Sequence, residues 1–278
     1  MEFLATVAKS GGWTEQNTYF SERKIHFKHQ NPIAVNLQNS LHLLATFCLF
    51  TKVATLHAQD DNNLPPETFT ISISHDNAFG FLPVVTGSIP LRERMSLSFY
   101  GNFWTNPSYA AFAGRDFWLE AGVGLALSSR NGQWLLNPSL GTTHGNLLSA
   151  TPEGVLLDGV VPGVVVFHAS ERFEGELYAL WYKALRQKNA GSTDYFLGWV
   201  YPGYRFGKRV SAGLHVENFS VLRQTGTSSG VLYTWLGAYA KLTVAERYWF
   251  RLAGGRNLEN NGNYGRDYYR LTVGWSML

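Results

Sequence analysis

Beyond residue 66 the chain changes chemistry at every second position, in stretch after stretch. In ETFTISISH, Phe69, Ile71 and Ile73 alternate with Thr70, Ser72 and Ser74; in RMSLSFYGNFW, Leu97, Phe99 and Phe103 alternate with Ser96, Ser98, Tyr100 and Asn102. The last stretch, YYRLTVGWSML, is the cleanest: Tyr269, Leu271, Val273, Trp275 and Met277 hold one parity, and Arg270, Thr272, Gly274 and Ser276 the other. A period of two is the strand period, because successive side chains of a pleated backbone point to opposite faces. The pattern recurs in DFWLEAGVGLALS, WLLNPSLGT, FEGELYALWY, RVSAGLHVE and YWFRLAGG. Segments 79–88, 160–169, 194–204 and 230–243 carry apolar residues on both parities and are also read as strands, which brings the total to twelve. No strong helical period appears in this part of the chain.

The connections alternate too. LRER, SRNGQ, SER, GKR and AER are short, whereas those between them mostly run to eight to fifteen residues rich in Gly, Asn, Ser and Thr. In an up-and-down barrel odd and even connections lie at opposite ends, and outer-membrane barrels keep short turns inside and long loops outside. Within hydrocarbon every backbone N–H and C=O must be paired, so a spanning sheet has to close, last strand against first. A chain that stops in mid-pattern at Met277 and Leu278 fits a final strand that completes the closure. The expectation is an all-β protein, a transmembrane up-and-down antiparallel β-barrel over residues 67–278. It has about twelve strands, with about ten or about fourteen as the even-numbered alternatives.

Composition narrows this further. Hydrophobic residues make up 45% and charged ones only 15%, too apolar for a disordered chain. No uncharged apolar run reaches the roughly 18 residues of a spanning helix. The net charge of +3 sits mostly in the first 58 residues, which hold five Lys/Arg and three Asp/Glu. The near-neutral remainder offers nucleic acid no basic face. Cys48 is the single cysteine, which excludes an internal disulfide, and bulky Phe47 before it does not suit a lipoprotein signal. Around it, SLHLLATFCLFTKVATLHAQDD has an apolar core followed by small residues up to Ala58, with Arg23, Lys24 and Lys28 upstream. That is the order of a secretory signal peptide. Residues 41–58 are read as this leader, cleaved near Ala58, although Lys52 interrupts the apolar stretch. Residues 1–40 are read as an over-extended start, and residues 59–66 as a linker.

The stretches SISHDNAFGFLPVVTGSI, SFYGNFWTNP, NPSLGTTHGNLLS and FEGELYALWY carry a resemblance to small uncharacterised, porin-like outer-membrane β-barrel families of Gram-negative bacteria. It implies an outer-membrane location, with lipid around the barrel. The final strand resembles the signal read by the barrel assembly machinery, with Leu278 where that signal ends in Phe or Trp. The resemblance assigns no activity.

If the apolar parity meets lipid, the other lines the lumen. Candidate lumenal residues are Glu120, Glu174, Glu176, Tyr178, His215, Glu217, Arg251 and Arg270. Charges there must be solvated or paired, so they form either a cross-barrel network or the wall of a wet channel. About eight strands leave a filled interior and about sixteen an aqueous one, so twelve implies a narrow pore or a plugged one. Residues 144–158 are the candidate constriction loop if they fold inward, and an ordinary surface loop otherwise. Trp104, Trp118 and Trp181 fall near outer strand ends, and Trp134, Trp249 and Trp275 near inner ends, as a membrane-interface girdle requires.

Catalytic chemistry is poorly represented. Ser211, His215 and Glu217 share one parity, but Ser211 and His215 stand about 13 Å apart along a strand, too far for proton transfer. His215 with Glu217 reads as a lumenal contact, and His144 lacks a matched nucleophile. His75 and Asp76 sit side by side in a tight connection without metal-ligand spacing, and no phosphate loop occurs. No catalytic, cofactor-binding or metal-binding residue is assigned. Each short turn holds at least one arginine (Arg92 and Arg94, Arg130, Arg172, Arg209, Arg247), as solvated turn residues or as contacts for inner-leaflet phosphates. The sequence therefore points to porin-like passage or binding of small polar solutes, without a reaction. The alternatives are a membrane-embedded lipid-modifying enzyme, or a structural or adhesive barrel whose outer loops bind a partner.

Overall fold

The computed structural model describes residues 67–104, 118–149, 154–185, 191–224, 229–259 and 264–277. The extended start, the leader and the linker all lie outside these residues, as does Leu278. The strands are β1 (Thr68–Asp76), β2 (Gly80–Arg92), β3 (Met95–Trp104), β4 (Trp118–Ser128), β5 (Trp134–Gly145) and β6 (Val155–Ala169). They continue as β7 (Phe173–Ala184), β8 (Thr193–Arg205), β9 (Val210–Gln224), β10 (Gly230–Val244), β11 (Tyr248–Asn257) and β12 (Asp267–Met277). Each pairs antiparallel with its chain neighbours, and β1 pairs with β12 to close a twelve-stranded barrel. The seam runs over eight residue pairs, from Phe69 opposite Met277 to Asp76 opposite Arg270. Closure of this kind is what lets a sheet lie in hydrocarbon. The barrel is the transmembrane, up-and-down fold that the alternation implies.

Along β12 every step alternates: Tyr269, Leu271, Val273 and Trp275 are exposed, while Tyr268, Arg270, Thr272 and Gly274 are buried. Val123, Leu140, Leu214 and Leu252 continue the apolar outer surface around the barrel. At the turn end, Trp134, Phe173, Tyr204, Phe206, Tyr248 and Trp275 form an outward aromatic band. Tyr248 stacks on Trp275 at 6.2 Å, and Phe173 meets Tyr204 edge-on at 5.6 Å. Trp181 faces out near the loop end.

Three tryptophans expected in the girdle are elsewhere. Trp104 and Trp118 are buried and stack on each other at 5.2 Å inside the barrel. Trp249 lies on the inner face against Gly274 and beneath the Arg251 guanidinium. The reason is parity. Trp104 continues the parity of Asn102, Trp118 that of Glu120, and Trp249 that of Arg251. Nearness to a strand end sets a residue's depth in the membrane, whereas parity sets its face.

The strands with blurred alternation have an equally physical cause. Near the loop end the barrel interior is itself apolar, so Leu82 points in beside outward Phe81, and Trp235 points in beside outward Leu236. Among the glycines of AGVGLAL, Gly122 makes room for a neighbour: a Cβ there would meet the Tyr100 ring at 2.5 Å.

The β10–β11 turn holds Ala245 (φ 51°) and Glu246 (φ 60°) in the left-handed region, with Arg247 N–H donating to Val244 O at 3.3 Å. Two positive φ values at the centre are the hairpin geometry that favours Asn-Gly. Replacing the pair by Ala245→Asn/Glu246→Gly is expected to stabilise the barrel by about 1–2 kcal/mol, read as a higher urea midpoint in detergent. An unchanged midpoint would contradict the strain.

Candidate functional site

The lumen is built in tiers, and the loop end comes first because it is shut. Ala78 and Phe79 from the β1–β2 turn, Leu147 and Leu148 from the β5–β6 loop, and Tyr264 from the β11–β12 loop all turn inward and are buried. They pack on inward strand residues such as Trp104, Tyr182 and Tyr233. Phe79 meets Trp104 edge-on at 4.7 Å and Phe219 at 5.4 Å, and Tyr264 meets Tyr233 at 5.0 Å. Within the candidate constriction loop Leu147, Leu148 and Ser149 therefore fold inward, whereas Leu156 and Leu157 are exposed. Carboxylates hold two of these three segments: Asp158 accepts the Leu148 and Ser149 N–H groups at 2.7 and 3.0 Å, and Asp76 accepts those of Ala78 and Phe79 at 2.9 and 2.6 Å.

Directly beneath this plug lies a buried ionic cluster. Arg270 donates Nε and Nη2 to Asp76 Oδ2 at 2.9 and 2.7 Å, and Nη1 and Nη2 to the two oxygens of Glu217. Tyr233 adds its hydroxyl to Glu217 Oε1 at 2.6 Å. His215 Nε2 lies 3.3 Å from Glu217 Oε2, its Nδ1 lies 2.9 Å from the Tyr268 hydroxyl, and its ring stacks on Tyr201 at 4.2 Å. Trp199 and Trp235 flank the guanidinium at 5.4 and 5.7 Å. Arg270 is matched to these carboxylates because a planar fork can bond two of them at once.

Two further rungs lead toward the turn end. Arg251 donates Nη1 to Glu176 at 2.7 Å while its guanidinium lies over Tyr201 at 3.9 Å, and Trp199 Nε1 donates to the same carboxylate at 2.7 Å. Tyr178 stacks flat on Trp199 at 3.7 Å. Lower still, Glu174 accepts from Lys241 Nζ at 2.8 Å, Ser211 Oγ at 2.7 Å and Tyr239 OH at 2.9 Å. This half of the lumen has room for water: Thr86 stays exposed although it shares the inner face with its partner Tyr100. At the mouth is a cavity of about 350 Å³ lined by Glu174, Arg205, Lys208, Arg209, Lys241 and Glu246, among others.

All eight candidate lumenal residues fall on the inner face, and the structure sorts them. Glu217, His215 and Arg270 form one cluster, and Glu176, Arg251 and Tyr178 gather around Trp199. Glu174 belongs to the lowest rung, while Glu120 stands apart, fully buried and bonded to the Tyr182 hydroxyl at 3.0 Å. Among the described residues, the side chains named for the enzyme reading are engaged separately. Ser211 is bonded to Glu174 rather than to His215, and His144 Nδ1 accepts the Leu157 N–H at 3.2 Å, a loop contact. Among the described residues no cluster of His, Cys, Asp and Glu fits a metal ion.

The sequence reading missed Asp76 and Lys241. Asp76 reads as part of a tight connection but closes β1, where β12 brings Arg270 opposite. Lys241 lies in a blurred segment, yet Trp235, Gly237, Tyr239 and Lys241 share one parity opposite Leu236, Ala238, Ala240 and Leu242. Allowing aromatics on an inner face would have found it.

Residues 36–277 match the model of a family described as of unknown function, DUF6733. No curated protein matches the sequence. Among solved structures, the COG4313 outer membrane channel from Pseudomonas putida F1 is similar in fold, with a TM-score of 0.52 at 12% identity, over 80% of this chain and 100% of that one. The KdgM porin in complex with disordered oligogalacturonate gives a TM-score of 0.45 at 10% identity, over 76% of this chain and 99% of that one.

Removing the guanidinium in Arg270→Met leaves Asp76 and Glu217 facing each other, buried. This is expected to cost about 3–5 kcal/mol. Lys241→Met, at a rung that still reaches solvent, is expected to cost about 1 kcal/mol or less. Denaturant unfolding of the two variants in the same detergent measures both; equal losses would contradict the tiered description.

Proposed function

We propose, for a chain that belongs to the family of unknown function DUF6733, that the barrel sits in an outer membrane and binds and passes small polar solutes. The apolar, aromatic-banded outer face supports the location. The leader of residues 41–58, cleaved near Ala58, delivers the chain for insertion by the barrel assembly machinery, with lipid as its surroundings.

The observation that carries the solute reading is the series of ion-paired rungs. Lys241 with Glu174, Arg251 with Glu176, and Arg270 with Glu217 and Asp76 follow one another across the lumen. Buried ion pairs are poor devices for stability alone, because apolar residues of similar volume often serve as well or better. A lumen that only had to be filled gains little from them. A lumen that takes polar guests gains donors and acceptors already in position. Passage requires the loop-end plug to move, so the inward segments 77–79 and 146–149 are the gate. Asp76 ties that gate to the uppermost rung. No reaction is part of this function.

The test is swelling of proteoliposomes in a graded series of sugars and amino acids. The wild-type barrel is expected to admit only the smallest. Phe79→Ser/Leu148→Ser, which wets the plug, is expected to swell several-fold faster and to raise the size limit. If both proteins are inserted and folded by heat-modified gel mobility yet neither admits any solute, passage is wrong.

A further inference from the structure

We infer that the turn-end mouth of the barrel is a binding site for small free anions, solutes bearing carboxylate or phosphate groups. The inference rests on the solute reading above and gives it a chemical class. The cavity there, about 350 Å³, lies at the small end of the range for ligand sites. Its charged lining comprises the cations Arg205, Lys208, Arg209 and Lys241 and the carboxylates Glu174 and Glu246.

The carboxylates do not cancel this excess of positive charge. Glu174 is already committed: one oxygen takes Ser211 and Tyr239, the other takes Lys241. Lys241 is a triple donor, and its side chain stays partly exposed while bonding Glu174 at 2.8 Å. Arg205 is held in place, because its Nη1 donates to the Ser170 carbonyl at 2.6 Å. The remaining N–H groups of that planar fork suit a carboxylate or a phosphate. Lys208 and Arg209 lie exposed in the turn between β8 and β9 and complete the rim. A mouth lined mostly by one sign of charge between low-dielectric walls concentrates counter-ions. Further in, Arg251 and Arg270 on the next two strands continue the line of cations past Lys241.

Lipid phosphate offers the same chemistry, but Ser211, Lys241 and Glu174 hold the inner parity and bond one another across the lumen. The site faces the lumen, which favours a free solute.

The experiment is calorimetry on the full chain, leader removed, in nanodiscs of zwitterionic lipid. The probes are succinate, citrate and inorganic phosphate, with glucose and putrescine as neutral and cationic controls. The anions are expected to bind, more weakly as salt rises, and the controls are not. Lys208→Gln/Arg209→Gln changes only exposed turn side chains and is expected to weaken anion binding about tenfold. Lys241→Gln/Glu174→Gln, which keeps the rung neutral, is expected to weaken it as well. Glucose binding as tightly as citrate, or anion binding unchanged in the turn variant, would overturn the site. Loss of anion binding in nanodiscs of anionic lipid would assign the mouth to headgroups instead. Binding is read here without transport. Anions that bind a barrel failing to swell liposomes would leave the site standing and remove passage. Swelling without any anion binding would do the reverse.

Discussion

The closing pair of strands is the constraint on which this molecule turns. In hydrocarbon neither β1 nor β12 can leave an edge unpaired, and their register puts Asp76 opposite Arg270. The seam that satisfies the backbone thus also brings a guanidinium to a carboxylate. That carboxylate already holds the N–H groups of Ala78 and Phe79 with its other oxygen. Sheet closure, neutralisation of a buried cation and placement of the plug meet in one residue.

The interior follows from barrel width. Around twelve strands enclose more space than ordinary aliphatic side chains fill, and long side chains span it here: Trp199, Tyr201, Trp235, Tyr239, Arg251 and Arg270. Inward tyrosines also need a missing Cβ opposite. Gly141 lies under the Tyr100 hydroxyl and Gly203 under that of Tyr239. The tyrosines also bring a hydroxyl to buried carboxylates: Tyr182 to Glu120, Tyr233 to Glu217 and Tyr239 to Glu174. Pairing long aromatics with glycine two strands away fills the lumen while leaving the acids bonded.

Strand count, closure and most of the facing were legible because the outward parity is apolar along the middle of the strands, as Tyr269, Leu271, Val273 and Trp275 show on β12. The lumen was less legible because it obeys two rules. Toward the turn end it is polar, so Glu174, Glu176 and Arg251 stand out against outward Phe173, Leu177 and Phe250. Toward the loop end it is apolar, so Leu197 and Trp235 look like their outward neighbours, and parity disappears from β8 and β10. Lys241 falls in that blur on β10, whereas Trp104 and Trp118 hold the inner parity at strand ends, the depth a girdle also occupies. Asp76 was missed for another reason. Its partner is 194 residues away, and no local pattern reports a contact set by the last strand meeting the first.

That separation also ties the plug to the closing of the barrel. Asp76 lies on the first strand and Arg270 on the twelfth, so the tether on Phe79 acquires its counter-ion only when β1 and β12 pair. A barrel arrested one strand short is unzipped and unplugged together. An open seam and a loosened plug are then a single lesion.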